Sequence, residues 1–296
     1  MSPIENITAC PVCQQSEFVP YQSCKDNTVS GEVFNIVTCQ SCGFHFTNTR
    51  PSEAGIGRYY QSENYISHSN TKKGLMDKVY HLVRNFTLKG KLTLINKQQP
   101  NKGKLLDIGC GTGMFLKVCQ DNGWNVTGIE PDKGASQLAN EQGLNVIKPT
   151  IWQLNQTEQY EVITMWHVLE HVHQLQQCVE WLRNHLTTNG TLIIAVPNLN
   201  AYDAQQYQEQ WAAFDVPRHL YHFSQQDMKR LFESKGFYIQ KILPMYFDSF
   251  YVSMLSSKYK NGKIGYWESF INGLVSNWKA RSSSEYSSLI YVIKHQ

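Results

Sequence analysis

The chain lacks any apolar run approaching the length that spans a bilayer, and no charged segment leads into an apolar stretch at its start. Both absences set the expectation of a cytoplasmic protein with no membrane partner. Strong charge of either sign is missing too. The formal net charge is +3, with Lys and Arg scattered rather than run together, so composition argues for neither a nucleic-acid nor a membrane surface as partner. No internal repeat or long low-complexity segment interrupts the chain. What remains is 296 residues, enough for one large or two modest domains and a sizeable core that needs no staples.

Eight cysteines fall into two groups. In a reducing compartment they are expected to be thiols or metal ligands rather than disulfides. Cys24, Cys110, Cys119 and Cys178 are isolated and read as small core residues. Cys10, Cys13, Cys39 and Cys42 form two C-x2-C pairs, "CPVC" and "CQSCG", and "EVFNIVT" between them reads as a strand that brings the second turn alongside the first. Two such turns complete a tetrahedral Zn²⁺ site. With thiolates in all four positions the site is closed, so a structural zinc ribbon over residues 8–46 is expected.

A first boundary falls near residue 50, in the linker "TNTRPSEAGIG", and a helical lid or linker occupies 51–100 around "GLMDKVYHLVRNFTLKGKLTLI". From 101 to the end, strand-like runs alternate with helical periodicity, as a parallel α/β sheet requires. The strands read are "KLLDIG", "NVTGIE", "NVIKP", "YEVITMW" and "TLIIAVP". The helices between them, "MFLKVCQDNG", "GASQLANEQG" and "VEWLRNHLTTNG", each close near a glycine suited to a left-handed cap. Ser224 and Asp227 form a capping box ahead of the helix "QQDMKRLFESKG". "FYIQKILPM" and "SSLIYVIKH" add two strands able to pair antiparallel across a mainly helical insertion at about 246–286. The expected fold is a seven-stranded Rossmann-like α/β sheet with a small ribbon in front.

In "DIGCGTGMF" the glycines are Gly109, Gly111 and Gly113, and Met114 stands where the dinucleotide fingerprint has its third glycine. Asp107 ends the strand beside this turn, where a carboxylate repels a pyrophosphate and welcomes a cationic cofactor. S-adenosylmethionine is such a cofactor. Glu130, at the end of the next strand in "VTGIEPD", is placed to accept hydrogen bonds from both ribose hydroxyls.

At these residues the chain resembles the class I S-adenosylmethionine-dependent methyltransferases. "LLDIGCGTG" is similar to that family's first motif, "GIEPD" to its acidic second-strand motif and "YEVITMWHVLEHV" to its fourth-strand motif, over roughly residues 85–296. The resemblance implies that Gly109, Cys110 and Gly111 approach the methionine part of the cofactor through backbone groups, with Asp107 organising its amino group and Gly113 completing the turn. It implies that Glu130 holds the ribose, that Pro131 and Asp132 flank the adenine, and that Thr150 and Ile151 meet the adenine edge. Many relatives carry an acid at that edge and this chain does not. Met165, Trp166 and His167 then end the strand that faces the reacting methyl.

Methyl transfer from a sulfonium is an in-line displacement, which needs alignment and exclusion of water, plus a base when the acceptor is a hydroxyl or an acidic carbon. The segment "NLNAYDAQQYQEQWAAFDVPRHLYHFS" follows the fifth strand and is rich in aromatic and titratable side chains. Within it His219 leads as general base, His222, Tyr221 and Asp215 are alternatives, and Arg218 is suited to an anionic group on the acceptor. His167, Glu170 and His171 in "WHVLEH" look similar to residues of some ubiquinone-type O-methyltransferases that use a divalent metal. Capping and orienting the following helix is their expected role, and no catalytic metal is expected. Tyr60, Tyr65 and His68 are lid candidates.

The first expectation is methyl transfer to a small-molecule or carbohydrate-like acceptor, O-methylation slightly favoured, with exposed aromatics of the insertion walling the acceptor pocket or forming a homodimer surface. Sugar C-methyltransferases carry a four-cysteine zinc domain, but also an extra C-terminal domain for which this chain leaves no room. Certain ribosomal RNA guanine methyltransferases begin with a zinc finger, which makes RNA the alternative acceptor. Against it stand the low charge and the sequence "TMWH" where an (Asp/Asn)-Pro-Pro-aromatic motif would fall. A non-enzymatic cofactor-binding module is the third reading, and the presence of both Asp107 and Glu130 weighs against it.

Overall fold

The computed structural model describes residues 3–61, 75–147 and 158–296. Its first strands are short: β1 (Ile4–Glu5) pairs antiparallel with β5 (Arg50–Pro51), while β2 (Phe18–Lys25), β3 (Val33–Cys39) and β4 (His45–Thr47) form an antiparallel meander. The expected strand "EVFNIVT" is β3, in which Phe34, Ile36 and Cys39 turn inward. Gly43, at φ +78°, closes the turn after β3 by donating to the Cys39 carbonyl at 2.8 Å.

Helix α1 (Leu75–Gln98) leads to β6 (Lys104–Ile108), α2 (Met114–Asp121), β7 (Asn125–Ile129), α3 (Lys133–Glu141) and β8 (Val146–Ile147). Beyond residue 157 come β9 (Tyr160–Trp166), α4 (Leu175–His185), β10 (Leu186–Pro197) and α5 (Tyr202–Tyr207). The chain ends with β11 (Tyr221–His222), α6 (Gln225–Glu233), β12 (Phe237–Pro244), α7 (Asp248–Asn261), α8 (Tyr266–Ser283) and β13 (Ser288–His295). Strands β6, β9 and β10 read as near-continuous apolar runs because helices cover both faces of a parallel sheet.

The large sheet has seven strands in the order β12-β13-β10-β9-β6-β7-β8, parallel except that β13 runs antiparallel to both β10 and β12. This is the α/β sheet expected, with the late antiparallel pair spanning the helices α7 and α8. From β6 the chain winds first to β7 and β8 and then to β9 and β10 on its other side, so the carboxyl ends of β6 and β9 flank the crevice where open sheets bind ligands.

Two local expectations change. "VEWLRNHLTTNG" is helical only to His185, and Leu186 already pairs with Tyr160, followed by a register shift before Thr191. Its two β-branched threonines suit this bulged strand entry better than a helix end. The boundary drawn near residue 50 is crossed by a sheet: β11 pairs antiparallel with β4, Tyr221 opposite Phe46 and His222 opposite His45, giving the order β11-β4-β3-β2. The segment after β10 therefore supplies the edge strand of the ribbon.

Packing reinforces the junction. Phe44 and Phe46 are fully buried, Phe44 lies 5.9 Å from the Tyr221 ring and 5.6 Å from Phe223, and these side chains join one core with Leu106, Ile163 and Met165. At about 1.5–3 kcal/mol for each fully buried large side chain, this contact outweighs any single hydrogen bond across the junction.

Candidate active site

The glycine turn sits between β6 and α2, and each glycine has its own reason. Gly109, at φ +72°, brings its backbone so near Val168 that a Cβ there would lie 2.4 Å from Val168 Cγ2. Gly113, at φ +78°, caps α2, where a Cβ would meet Leu144 at 2.3 Å. Gly111 is different, because a Cβ would meet nothing within 4 Å: this glycine faces open space at the sheet edge. Its N–H donates to Glu130 Oε2 at 2.8 Å, and the Asp132 N–H donates to Oε1 at 2.9 Å. Burial raises the Glu130 carboxyl and these two donors pull it back down. Pro131 is exposed beside them, Cys110 is buried under the turn, and Asp132 caps α3 by accepting from the Ala135 N–H at 2.7 Å.

Asp107 is buried at the end of β6 and accepts a 2.6 Å hydrogen bond from the Thr164 hydroxyl of β9. Burial pushes its carboxyl up to about 7, against the Thr164 hydrogen bond and the attraction of the Lys91 ammonium. Lys91 comes from α1, and its Nζ lies 4.0 Å from the centroid of the Trp166 ring, which in turn packs edge-on to Phe115 at 5.6 Å. Sequence reasoning overlooked this lysine. Its signal was a cation on the stripe Leu88, Leu92, Ile95 of a helix whose other stripe residues are apolar. Asp107, Gly109, Cys110, Gly111, Gly113, Glu130, Pro131 and Trp166 thus lie at or just beyond the carboxyl ends of β6, β7 and β9. Thr150, Ile151, Tyr65 and His68 lie outside the described residues.

His167 follows β9 with φ +57°, its N–H held by the Ala195 carbonyl at 3.0 Å. Its Nε2 is 3.1 Å from Asp248 at the start of α7, and its Nδ1 is 3.4 Å from Glu170. Burial would lower the imidazole, but the two carboxylates override that and raise it to about 10. Glu170 is fully buried, and neither of its oxygens accepts a well-formed hydrogen bond among the described residues.

Around that carboxylate stand His171 and His219, the three ligand-type atoms all within 4.8 Å of one another. His171 Nδ1 is 3.0 Å from the Arg218 carbonyl, and Tyr60 OH approaches the same nitrogen at 3.0 Å. His219 Nδ1 is 2.8 Å from the Ala213 carbonyl. A carbonyl only accepts, so both Nδ1 atoms carry the proton and both Nε2 atoms offer lone pairs. Burial, with the neighbouring His219 charge, lowers His171 to about 4. Such a set is chemically able to take up a proton or to hold a divalent cation.

The other residues singled out in this loop land elsewhere. Tyr221 is buried, donates its hydroxyl to the His173 carbonyl at 2.9 Å and lies beneath the Arg50 guanidinium. His222 is buried in the ribbon sheet with Nε2 3.1 Å from Thr47 Oγ1, and burial together with the His219 and His45 charges lowers it well below the usual range. Arg218, read as a partner for an acceptor anion, is instead 1 % exposed. It spans Asp215 at 2.6 Å, Asp26 at 3.1 Å and the Tyr59 carbonyl at 2.8 Å. Asp215 answers that guanidinium, which holds its carboxyl down despite burial. Asp26 had no signal in the sequence, because its partner lies far along the chain.

The four paired cysteines meet at the end of the ribbon. Cys10 Sγ is 3.6 Å from Cys42 Sγ, Cys13 Sγ is 3.5 Å from Cys39 Sγ, and all four sulfurs lie within 4.8 Å of one another. Tetrahedral Zn–S bonds of about 2.3 Å place sulfurs about 3.8 Å apart, so the donor set fits that ion.

Comparisons with known proteins agree with this geometry. A family described as a methyltransferase domain matches residues 80–242. The ubiquinone biosynthesis O-methyltransferase of Rickettsia typhi is 29 % identical over 143 residues, which is 45 % of this chain and 57 % of that protein. The enzyme of the same name from Rickettsia felis is 35 % identical over 104 residues, 33 % of this chain and 43 % of its own. The chain thus spans about half the length of the curated relatives it matches. Among solved structures, magnesium protoporphyrin IX methyltransferase from Synechocystis PCC 6803 with bound SAH superposes with a TM-score of 0.54 at 12 % identity, covering 80 % of this chain and 97 % of the other, a likeness of fold. With its family match covering more than half the residues, the chain belongs to the methyltransferase-domain family and carries a class I S-adenosylmethionine-dependent methyltransferase fold.

Proposed function

We propose that the chain transfers a methyl group from S-adenosylmethionine to an oxygen of a small-molecule acceptor, with His219 as general base. The observation that carries this reading is the fixed tautomer of His219. Its Nδ1–H is spent on the Ala213 carbonyl, so Nε2 presents a lone pair beside the buried Glu170 carboxylate, at the sheet edge that also bears the glycine turn.

Bound S-adenosylmethionine would supply the methyl group and a neutral thioether as leaving group. The chain's own residues do the rest. Gly111 lets the backbone approach, Glu130 accepts from the ribose hydroxyls, and Asp107 and Lys91 provide opposite charges for the ammonium and carboxylate of the methionine part. Trp166 and Phe115 wall the crevice and exclude water. His219 Nε2 takes the proton of the acceptor hydroxyl as that oxygen becomes the nucleophile, and Glu170 stabilises the imidazolium so formed. The Rickettsia relatives are O-methyltransferases of ubiquinone biosynthesis, which supports oxygen as the acceptor atom. Cys10, Cys13, Cys39 and Cys42 would hold a structural Zn²⁺ that keeps the ribbon, and with it the loop bearing His219, in place.

The test is transfer of labelled methyl from S-adenosylmethionine into a cell extract separated into small molecules, RNA and protein, with Glu130→Ala as background. Label in the small-molecule fraction that is lost in His219→Ala is the expected result. Label confined to RNA, or none above the background, would overturn the reading.

A further inference from the structure

Helices α7 and α8 pack in an unusual sense. Their mutual face is small, with Ser249, Ser253 and Ser257 on α7 and Ser269 and Gly273 on α8 buried, while Val252, Ser256 and Ser276 turn toward the body of the protein, Ser256 accepting from the Ala212 N–H and Ser276 donating to Asp203. Gly273 leaves room for the Phe250 ring, which a Cβ there would meet at 2.5 Å. Hydroxyls bond across the pair, Ser249 to the Gly273 carbonyl and Ser269 to the Ser253 carbonyl, both at 3.2 Å. Phe250 and Val252 of α7 pack inward, whereas large apolar side chains of α8 point outward. Trp267 is 81 % and Trp278 65 % exposed, with Phe270, Ile271 and Leu274 exposed on the same turns of α8. Small residues and hydroxyls at the helix contact, with bulky apolar groups facing out, are the arrangement of helices whose surroundings are hydrocarbon rather than water.

Charge identifies the surroundings further. Over the insertion, residues 246–286, the cations are Lys258, Lys260, Lys263, Lys279 and Arg281, all exposed, against the acids Asp248, Glu268 and Glu285, of which Asp248 is paired with His167 and Glu285 accepts from Asn198. Lys279 also covers the Tyr202 ring at 3.8 Å. A two-fold contact between copies of the chain would set these cations against themselves, whereas an anionic headgroup layer complements them. Tryptophan and tyrosine with flanking lysines suit the boundary between headgroups and acyl chains. Such a boundary would be met along the helix rather than through it, because Glu268, Asn272 and Asn277 interrupt α8 and no described helix is long and apolar enough to cross a membrane.

We propose that the outer face of the α7–α8 hairpin docks the protein on an anionic lipid surface. Leu82 and Phe86 of α1 extend that face, Phe86 meeting Phe247 edge-on at 5.9 Å. The proposal is independent of the acceptor and of His219. The small whole-chain charge of +3 gave no sign of it, because it did not show where the cations gather.

The test floats the full-length protein with vesicles of phosphatidylcholine alone and with vesicles of phosphatidylcholine and phosphatidylglycerol in equal parts. Flotation with the anionic vesicles only, weakened by added salt, is expected. Lys258→Gln/Lys260→Gln/Lys263→Gln should lower the partition coefficient by about a hundredfold, at about fivefold for each lysine. Trp267→Ser/Trp278→Ser should lower it by at least about tenfold. These side chains are exposed, so both variants should keep the wild-type melting temperature, and the salt dependence of the unaltered protein is read even if one variant unfolds. No flotation, or flotation unchanged in both variants, would overturn the proposal. So would a sedimentation dimer that the tryptophan variant dissolves, or binding of a labelled RNA through the three lysines without binding of vesicles.

Discussion

Thr47 Oγ1 donates a 2.9 Å hydrogen bond to the backbone carbonyl of His219, across 172 positions of chain. Thr47 ends β4 of the ribbon, and His219 begins the short run that becomes its edge strand, so the ribbon sets the height of the imidazole above the sheet edge. Thr47→Val should leave a buried carbonyl and the His222 ring short of a partner, at about 1–3 kcal/mol. The expected outcome is a lower melting temperature and a lower kcat with unchanged affinity for S-adenosylmethionine, both restored by Thr47→Ser. Calorimetric binding beside steady-state rates checks it, and equal losses in binding and kcat would place Thr47 outside any loop-positioning role.

His219→Ala is expected to lower turnover by about 10²-fold or more, the range for loss of a general base. Affinity for S-adenosylmethionine should stay put, because the residues gathered at the cofactor crevice are untouched. A variant with wild-type turnover would remove His219 from the mechanism.

The sequence made one half of this site legible and hid the other. Gly109, Gly111, Gly113, Asp107 and Glu130 are local in the chain, and their places at the ends of two neighbouring strands and in the turn between strand and helix follow from local pattern. The capping box at Ser224 and Asp227 forms as read for the same reason. What escaped was long-range. Arg218 spends its charge on Asp26 and Asp215, Tyr221 and His222 serve a sheet that joins residues 45–47 to 221–222, and Lys91 reaches a strand end it does not adjoin in sequence. A titratable residue in an aromatic loop looks the same in sequence whether it faces ligand or core, and only the pairing of β11 with β4 separates the two.

Asp107 offers a pH experiment. Burial raises its carboxyl to about 7, so near neutrality a fraction is protonated in the free protein. A cationic ammonium favours the ionised form, so its binding should lower that pKa and release a proton. Affinity for S-adenosylmethionine should therefore rise as pH rises through about 7 and level off above it. Titration calorimetry in buffers of different ionisation enthalpy reads the released proton directly, and Asp107→Asn should bind weakly with no such release.

The pair His167 and Asp248 offers a second, of opposite sign. The folded-state pKa of about 10 lies above the ordinary histidine value, so the stabilisation is fully present below about 6.5 and is lost as pH rises through about 10. Solvent reaches about a third of this ring, so screening trims the effect. Melting temperatures taken from pH 6 to pH 10 should fall more steeply for the wild type than for His167→Gln. Parallel curves would mean that the imidazolium contributes nothing to stability.

Removing the zinc proposed for the ribbon should act at a distance. Cys39 and Cys42 bracket the turn that leads into Phe44 and Phe46, the rings against which Tyr221 and Phe223 pack, and Arg230 Nη1 holds the Cys42 carbonyl at 2.7 Å. Metal analysis near one zinc per chain is expected. Stripping it, or replacing Cys39 by Ser, should loosen β4 and with it β11, so that His219 no longer sits beside Glu170. Methyl transfer should then fall while S-adenosylmethionine still binds, because Gly111, Glu130 and Asp107 are held by the seven-stranded sheet and not by the ribbon. Loss of cofactor binding in step with zinc would instead mean that the two sheets unfold as one cooperative unit, which the shared core of Phe44, Phe46, Leu106 and Met165 makes the outcome to watch for.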